Sequence, residues 1–226
     1  MISKSVPNSV IEALRKFDSP TISNAIEAFD IRNRTEGYAS MELPCQFPDF
    51  GPMVGYAVTC TQDSTTPNRT SKTSLTDFLD ILASSPKPSV VVIQDVGSNP
   101  TKSSFGGDMI FAVYQKLGAA GVITDGGIRD ITGIRHQAKG FQVFAKGAVV
   151  SHGSSIKVDV NIPISVGGLE IKPGDLLHGD ESGFLKIPIE IASSVVKQAE
   201  KVKETEASFF SFLNKETPTL EQIKIA

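Results

Sequence analysis

Two stretches of this chain combine residues that could bind and activate a small anion. The first is Ser103-Ser104-Phe105-Gly106-Gly107-Asp108-Met109-Ile110, where small residues run directly into a helical pattern. Free amides at a helix start form a pocket for a carboxylate or phosphate, and paired glycines let a ligand approach the backbone closely. The same residues could equally be a Ser- and Gly-rich cap with no ligand. The second is Thr124-Asp125-Gly126-Gly127-Ile128-Arg129-Asp130, at the carboxyl end of a predicted buried strand. Open α/β sheets bind ligands at such ends, so adjacent Arg and Asp carry more information there than on a helix face. Arg129 could grip a carboxylate with its guanidinium fork, and Asp130 could hold a hard divalent cation. The alternative is a surface Arg–Asp pair with Asp130 capping the next helix.

Other reactive residue types form weaker patterns. His136, His152 and His178 share no metal-ligand spacing, which points to surface or core roles. Asp175 and Asp180, in KPGDLLHGDESG, read as Asx-turn residues. There is no dinucleotide-binding glycine fingerprint, Walker A loop or Gly-x-Ser-x-Gly elbow. A Schiff-base lysine stays open; Lys102 and Lys146 are nearest the two motifs, and neither lies in an apolar strand that would lower its pKa. Cys45 and Cys60 are the only cysteines, which excludes a cysteine zinc site and gives no disulfide framework.

The elements that must position these motifs follow from periodicity. Pro7–Phe17 reads as a helix with Asn8 as N-cap, and a second helix opens near Pro20–Ser23 and runs to Phe29. Ile31–Gly51 is rich in Pro, Gly and polar residues and reads as a long surface loop. Gly55–Gln62 is a strand, Ser74–Ala83 a helix, and the β-branched run Pro88–Val96 a strand buried on both faces. That unit repeats as helix Gly107–Leu117 and strand Gly121–Thr124, then helix Asp130–Gly140 and strand Phe141–Ala145. Beyond Gly147, short strands at Ile156–Val160, Ile162–Val166, Leu169–Ile171, Asp175–His178 and Gly183–Ile187 suggest a β-rich half packed on the α/β half. Pro188 to Asn214 forms a long helix, whose crowded end at Phe209, Phe210, Phe212 and Leu213 suits a subunit interface.

Composition sets the remaining bounds. The 226 residues are 40% hydrophobic, enough for a single domain over 1–226 with a core at about 19–187 and a C-terminal helix at about 188–214. The formal charge of -3 is spread along the chain, which argues against a nucleic-acid partner. No apolar run approaches the ~18 residues that span a bilayer. The N-terminus also lacks a signal-peptide core, so no membrane partner and a cytoplasmic location are expected.

Gly107-Asp108-Met109-Ile110, the block from Gly118 to Asp130, Val166-Gly167-Gly168, Lys172-Pro173-Gly174-Asp175 and Asp180-Glu181-Ser182-Gly183 resemble one family. It unites 4-hydroxy-4-methyl-2-oxoglutarate aldolases with the regulator of ribonuclease activity A. The likeness runs from about Ser19 to Ala207 and is strongest over Gly106–Asp130. It implies an α/β chain with the β/β/α swivelling-domain (RraA-like) fold, assembled as a trimer or hexamer with active sites at subunit boundaries. For the aldolase branch it implies that Gly107, Asp108, Met109 and Ile110 bind the pyruvate carboxylate, Arg129 contacts the oxo group, and Asp130 contacts Mg²⁺ or Mn²⁺. Glu206 of a neighbouring subunit, with Glu204 as second choice, is the matching carboxylate near the metal waters.

The chain departs from the family pattern at Ser23-Asn24-Ala25, where many members carry Asp, and at Asp108, where Glu or a neutral residue is common. Substrate identity is what these departures bear on. Some members carry a demethylmenaquinone methyltransferase name, which the missing Gly-rich cofactor loop argues against. The expected activity is a metal-dependent pyruvate aldolase of 4-hydroxy-2-oxo diacids that also decarboxylates oxaloacetate, because both reactions pass through a pyruvate enolate. The rivals are a non-enzymatic regulator of ribonuclease activity and a carboxylate-binding module without turnover.

Overall fold

Eleven consecutive buried residues, Met53–Asp63, form the strand on which the fold is assembled. The computed structural model describes residues 5–215 and 217–225. In chain order the elements are α1 (Asn8–Leu14), α2 (Ser19–Glu27), β1 (Met53–Asp63), α3 (Leu75–Ser84), β2 (Ser89–Asp95), β3 (Ser104–Gly106), α4 (Asp108–Lys116), β4 (Ala119–Thr124), β5 (Gly127–Ile128) and α5 (Ile131–Gln137). They continue with β6 (Gln142–Phe144), β7 (Gly147–Ala148), β8 (Ile156–Val160), β9 (Ile164–Val166), β10 (Leu169–Ile171), β11 (Leu176–Asp180), β12 (Gly183–Ile187), α6 (Ala192–Asn214) and α7 (Leu220–Ile225). The first helix, expected over Pro7–Phe17, covers only Asn8–Leu14, and its N-cap is Pro7 rather than Asn8.

The main sheet has seven strands, ordered β12-β11-β1-β2-β4-β6, with β8 paired to the far end of β1. Strands β1, β2, β4 and β6 are mutually parallel, while β11 and β8 both pair antiparallel with β1. The late strands therefore extend the α/β sheet instead of forming a separate β-rich half. The hairpin β9–β10 lies off it. Alternation along β2 explains the layering. Val91 and Ile93 join Phe78, Phe111 and Ile134 of the α3–α5 layer. Val90 and Val92 face Ile164, Val166 and Ile171 of the hairpin side. A strand buried on both faces needs apolar residues at successive positions, as the run Val90-Val91-Val92-Ile93 supplies.

A short second sheet, β3-β5-β7, stands beyond the main one. Each of its strands follows the carboxyl end of a main-sheet strand: β3 comes after β2, β5 after β4 and β7 after β6. This is the region where parallel sheets hold ligands.

The Ile31–Gly51 segment is not a simple surface loop. Tyr38 bridges to Leu185 and Cys45 to Phe144, and Leu43 and Phe47 are buried in the core. The segment thus straps the sheet from β12 to β6. It also clamps α5, because Arg135 pairs with Asp49 at 2.7 Å and stacks over the Phe47 ring at 5.0 Å.

At the opposite end, α1 and α2 are tied to β11 through two buried side chains. Nε2 of His178 faces the carbonyls of Phe17 and Leu14, which only an N–H can satisfy, so Nδ1 accepts from Ser19 Oγ at 2.9 Å. Asp180 makes the expected Asx turn to the Ser182 amide but is also buried, and it accepts the Ser19 amide at 2.6 Å. Helix α6 packs Ala192, Val195 and Ala199 against this corner and leaves Phe209 and Phe210 exposed at its far end. No described helix is long and apolar enough to cross a membrane.

Replacing Asp180 by Asn removes a charged acceptor from the buried Ser19 amide and from the Ser182 amide and should cost about 2 kcal/mol, read as a lower urea midpoint. Burial holds His178 below its ordinary value of 6.5, so on acidification the unfolded chain takes up the proton first. The stability from the neutral ring is present above about pH 6.5 and is lost as pH falls through the lower folded value. The melting temperature should drop across that window in the wild type, and more shallowly in His178→Asn; equal slopes would contradict this.

Candidate functional site at the ends of the parallel strands

The turn after β4 is built by its own polar residues. Thr124 Oγ1 accepts the Gly126 amide at 3.1 Å, and Asp125 Oδ1 accepts the Asp95 amide at 2.7 Å, pinning the turn to the end of β2. The chain then pairs with β3: Ser104 lies beside Gly127, Gly106 beside Ile128, and the Arg129 amide donates to the Gly106 carbonyl at 3.1 Å. The two motifs legible in the sequence are thereby brought side by side.

Gly107 is the N-cap of α4 and supplies no side-chain cap. Of the first-turn amides, that of Met109 donates to Asp108 Oδ1 at 2.7 Å, and no capping side chain takes the others, at a helix start that lines the cavity. A Cβ on Gly107 would lie 2.3 Å from Asp130 Oδ2 and 3.1 Å from Arg129 Cγ, so a larger residue here would have to push the Asp130 carboxylate aside. Gly133 on α5 plays the same part for Asp108, whose Oδ2 would lie 2.2 Å from an added Cβ.

Asp130 stands at the N-cap of α5 in the left-handed region (φ 58°) but makes no capping hydrogen bond. Its carboxylate pairs instead with Arg129 Nε at 3.1 Å and remains 40% exposed at the cavity mouth. The helix-cap alternative for Asp130 is therefore set aside, while the Arg–Asp pair does form. A non-glycine residue held in this conformation is a strained feature of the kind that clusters at ligand sites.

These groups line one cavity of about 240 Å³, shared by Gly107, Asp108, Met109, Ile110, Arg129 and Asp130. Ser104 of the first motif and Tyr114 of α4 also line it, and the rest of its wall comes from elements the motifs gave no hint of: Gln62 at the end of β1, His152, Ser155 and Lys157. Lys157 is buried and burial pulls its pKa down. Its signal was present in the sequence as a lysine inside the strand pattern Ile156–Val160, whereas the two lysines nearest the motifs, Lys102 and Lys146, do not line the cavity. Of the other expected residues, His136 is exposed and His178 is a buried structural group. Glu206 lies on α6, paired with Lys203 at 3.4 Å and outside the cavity of its own chain, as does Glu204.

Among the described residues no three His, Cys, Asp or Glu side chains gather as a metal cage. Asp108 and Asp130 still present two hard carboxylates at one mouth. That donor set fits Mg²⁺ or Mn²⁺, since Mg²⁺ binds through one or two carboxylates and keeps several waters.

Comparison with known proteins places the chain in a family. The family model described as RraA-like, Aldolase/RraA, matches residues 19–185. The chain belongs to the RraA-like family. A Thermus thermophilus protein named 4-hydroxy-4-methyl-2-oxoglutarate aldolase is 32% identical over 98 residues, 43% of this chain and 58% of that one. A Halalkalibacterium halodurans protein provisionally named for the same activity is 33% identical over 138 residues, 60% of this chain and 64% of its own length. The chain thus spans less than two thirds of either relative. Among solved structures, Streptomyces coelicolor RraAS2, described as an unusual member of the RNase ES inhibitor RraA protein family, superposes with a TM-score of 0.68 at 20% identity, covering 93% of this chain and 99% of that one. That likeness concerns the RraA-like fold alone.

Gly107→Ala should lower stability by no more than about 1 kcal/mol, read as the urea midpoint, because the clash falls on the partly exposed Asp130 carboxylate and not on backbone. A crystal structure of the variant should show that carboxylate displaced from its present position.

Proposed function

We propose that this protein is a divalent-metal-dependent aldolase that cleaves 4-hydroxy-2-oxo diacids to pyruvate and also decarboxylates oxaloacetate. The observation that carries this reading is the convergence of open helix-start amides, Arg129 and two carboxylates on one small cavity. The amides at Gly107–Ile110 hold the substrate carboxylate, as an anion sits naturally on a helix N-terminus. Arg129 faces the oxo oxygen, where its charge matters most as negative charge builds during C–C cleavage. Asp130, with Asp108, would hold Mg²⁺ or Mn²⁺, which when bound supplies Lewis-acid stabilisation of the enolate. The 34% exposure of Arg129 leaves the guanidinium within reach of a ligand despite its pairing with Asp130.

Self-association completes the site in this reading. Met109 is 82% exposed and Val150 96% exposed, and Val150 lines the neighbouring groove with Arg129 and Asp130. Apolar groups flanking a polar site favour cover by another subunit, as do Phe209 and Phe210 on α6. In a trimer, or a hexamer of two trimers, Glu206 of a second copy would complete the site. The alternative role, a non-enzymatic regulator of ribonuclease activity, draws on the description of the Streptomyces coelicolor protein as a member of an RNase ES inhibitor family. It makes no use of the strained Asp130.

Purified protein should release pyruvate from oxaloacetate and from 4-hydroxy-4-methyl-2-oxoglutarate faster than the protein-free background only with Mg²⁺ or Mn²⁺, and EDTA should return the rate to that of a protein-free control. Asp130→Ala and Arg129→Lys should each lower kcat/KM by roughly 10²-fold or more. Wild-type turnover by Asp130→Ala, or turnover indifferent to EDTA, would refute the assignment.

A further inference from the structure

Lys157 is 4% exposed, yet it lines the same cavity as Arg129 and Asp130. It stands on β8 directly opposite Gln62 of β1. Its Nζ donates to Gln62 Oε1, lies 4.9 Å from the centre of the Phe78 ring and meets the Cys60 thiol. Gln62 is oriented for this task, because its Nε2 donates to the Phe105 carbonyl and to Ser155 Oγ, which turns Oε1 toward the lysine. Burial raises the pKa of Cys60 and keeps it a neutral thiol.

None of these partners carries a negative charge. Asp95 acts on Lys157 only at a distance, and its oxygens are taken by Ser64 and by the Gly97 amide. Among the described residues Lys157 makes no salt bridge, unlike the buried Asp63, which pairs with Arg69 at 2.8 Å. A buried ammonium is costly without a counter-charge, and the π face of Phe78 offsets only part of that cost. Gln62 and Cys60 leave at least one of its three N–H donors free for a ligand.

We propose that Lys157, positioned by Gln62, receives the second carboxylate of the ligand and so makes the cavity selective for oxo diacids over oxo monoacids. This rests on reading the site as a 2-oxo-acid site. One carboxylate lies on the α4 amides beside Arg129, and the other enters the wall formed by β1 and β8. The ligand then supplies the anion that the fold withholds from Lys157.

Calorimetric titration with pyruvate and with 2-oxoglutarate, a diacid lacking the 4-hydroxyl needed for cleavage, tests this in the presence of Mg²⁺. Wild-type protein should bind 2-oxoglutarate at least about tenfold more tightly than pyruvate, the margin expected of one charge-assisted contact. Lys157→Met, with folding checked by circular dichroism, should reduce 2-oxoglutarate affinity about tenfold more than pyruvate affinity. Equal wild-type affinities would overturn the proposal without any variant and leave the oxo-acid reading standing. An unchanged preference in Lys157→Met would do the same. Binding of neither probe by the wild type would overturn the oxo-acid reading itself.

Discussion

The site depends on one close backbone approach, where Gly106 and Gly107 meet Ile128, Arg129 and Asp130. The Arg129 amide reaches the Gly106 carbonyl at 3.1 Å, and no side chain larger than hydrogen fits at position 107 without striking Asp130. The parallel sheet creates this contact. Because β2 and β4 are adjacent and run the same way, the segments after them emerge together and pair as β3 and β5. The start of α4 and the Arg-Asp pair then line one cavity. Neither segment forms that cavity alone.

Stability does not account for the arrangement. The Arg129–Asp130 pair is 34% and 40% exposed, and exposed pairs contribute little, about 0–1 kcal/mol. The left-handed conformation of Asp130 costs about 1–3 kcal/mol. Surrounding packing must hold it: Phe111 of α4 lies 5.5 Å from Phe141, and Ile134 of α5 is fully buried in the same cluster. The strap from residue 31 to 51 adds to this by clamping Arg135, so a segment outside the cavity still fixes the helix that begins at Asp130. The energy spent at the mouth is recovered in the core behind it.

Local patterns carried much of this into the sequence. The β-branched run of β2, the helix after Gly107 and the Gly-rich turn at a strand end are each short-range signals, and each formed where the periodicity put it. What depended on long-range pairing was less legible. Gln62 and Lys157 are 95 residues apart and meet only because β8 pairs with the end of β1. The strap looked like a surface loop because its Pro, Gly and polar residues hide two buried anchors, Leu43 and Phe47, with no periodic spacing. The late strands resembled a separate β-rich half because short antiparallel strands look alike whether they extend a sheet or start one. His178 has the core role that its sequence context allowed, but that its ring ties two helices to the sheet rests on contacts 159 and 161 residues apart in the chain.

A crystal structure of the protein soaked with pyruvate and Mn²⁺, with anomalous scattering used to find the metal, tests the composite site most directly. The pyruvate carboxylate is expected on the amides that open α4, its oxo oxygen facing Arg129, and the manganese peak on Asp130. Pyruvate bound elsewhere, or an ordered manganese ion with no contact to Asp130 or Asp108, would contradict it.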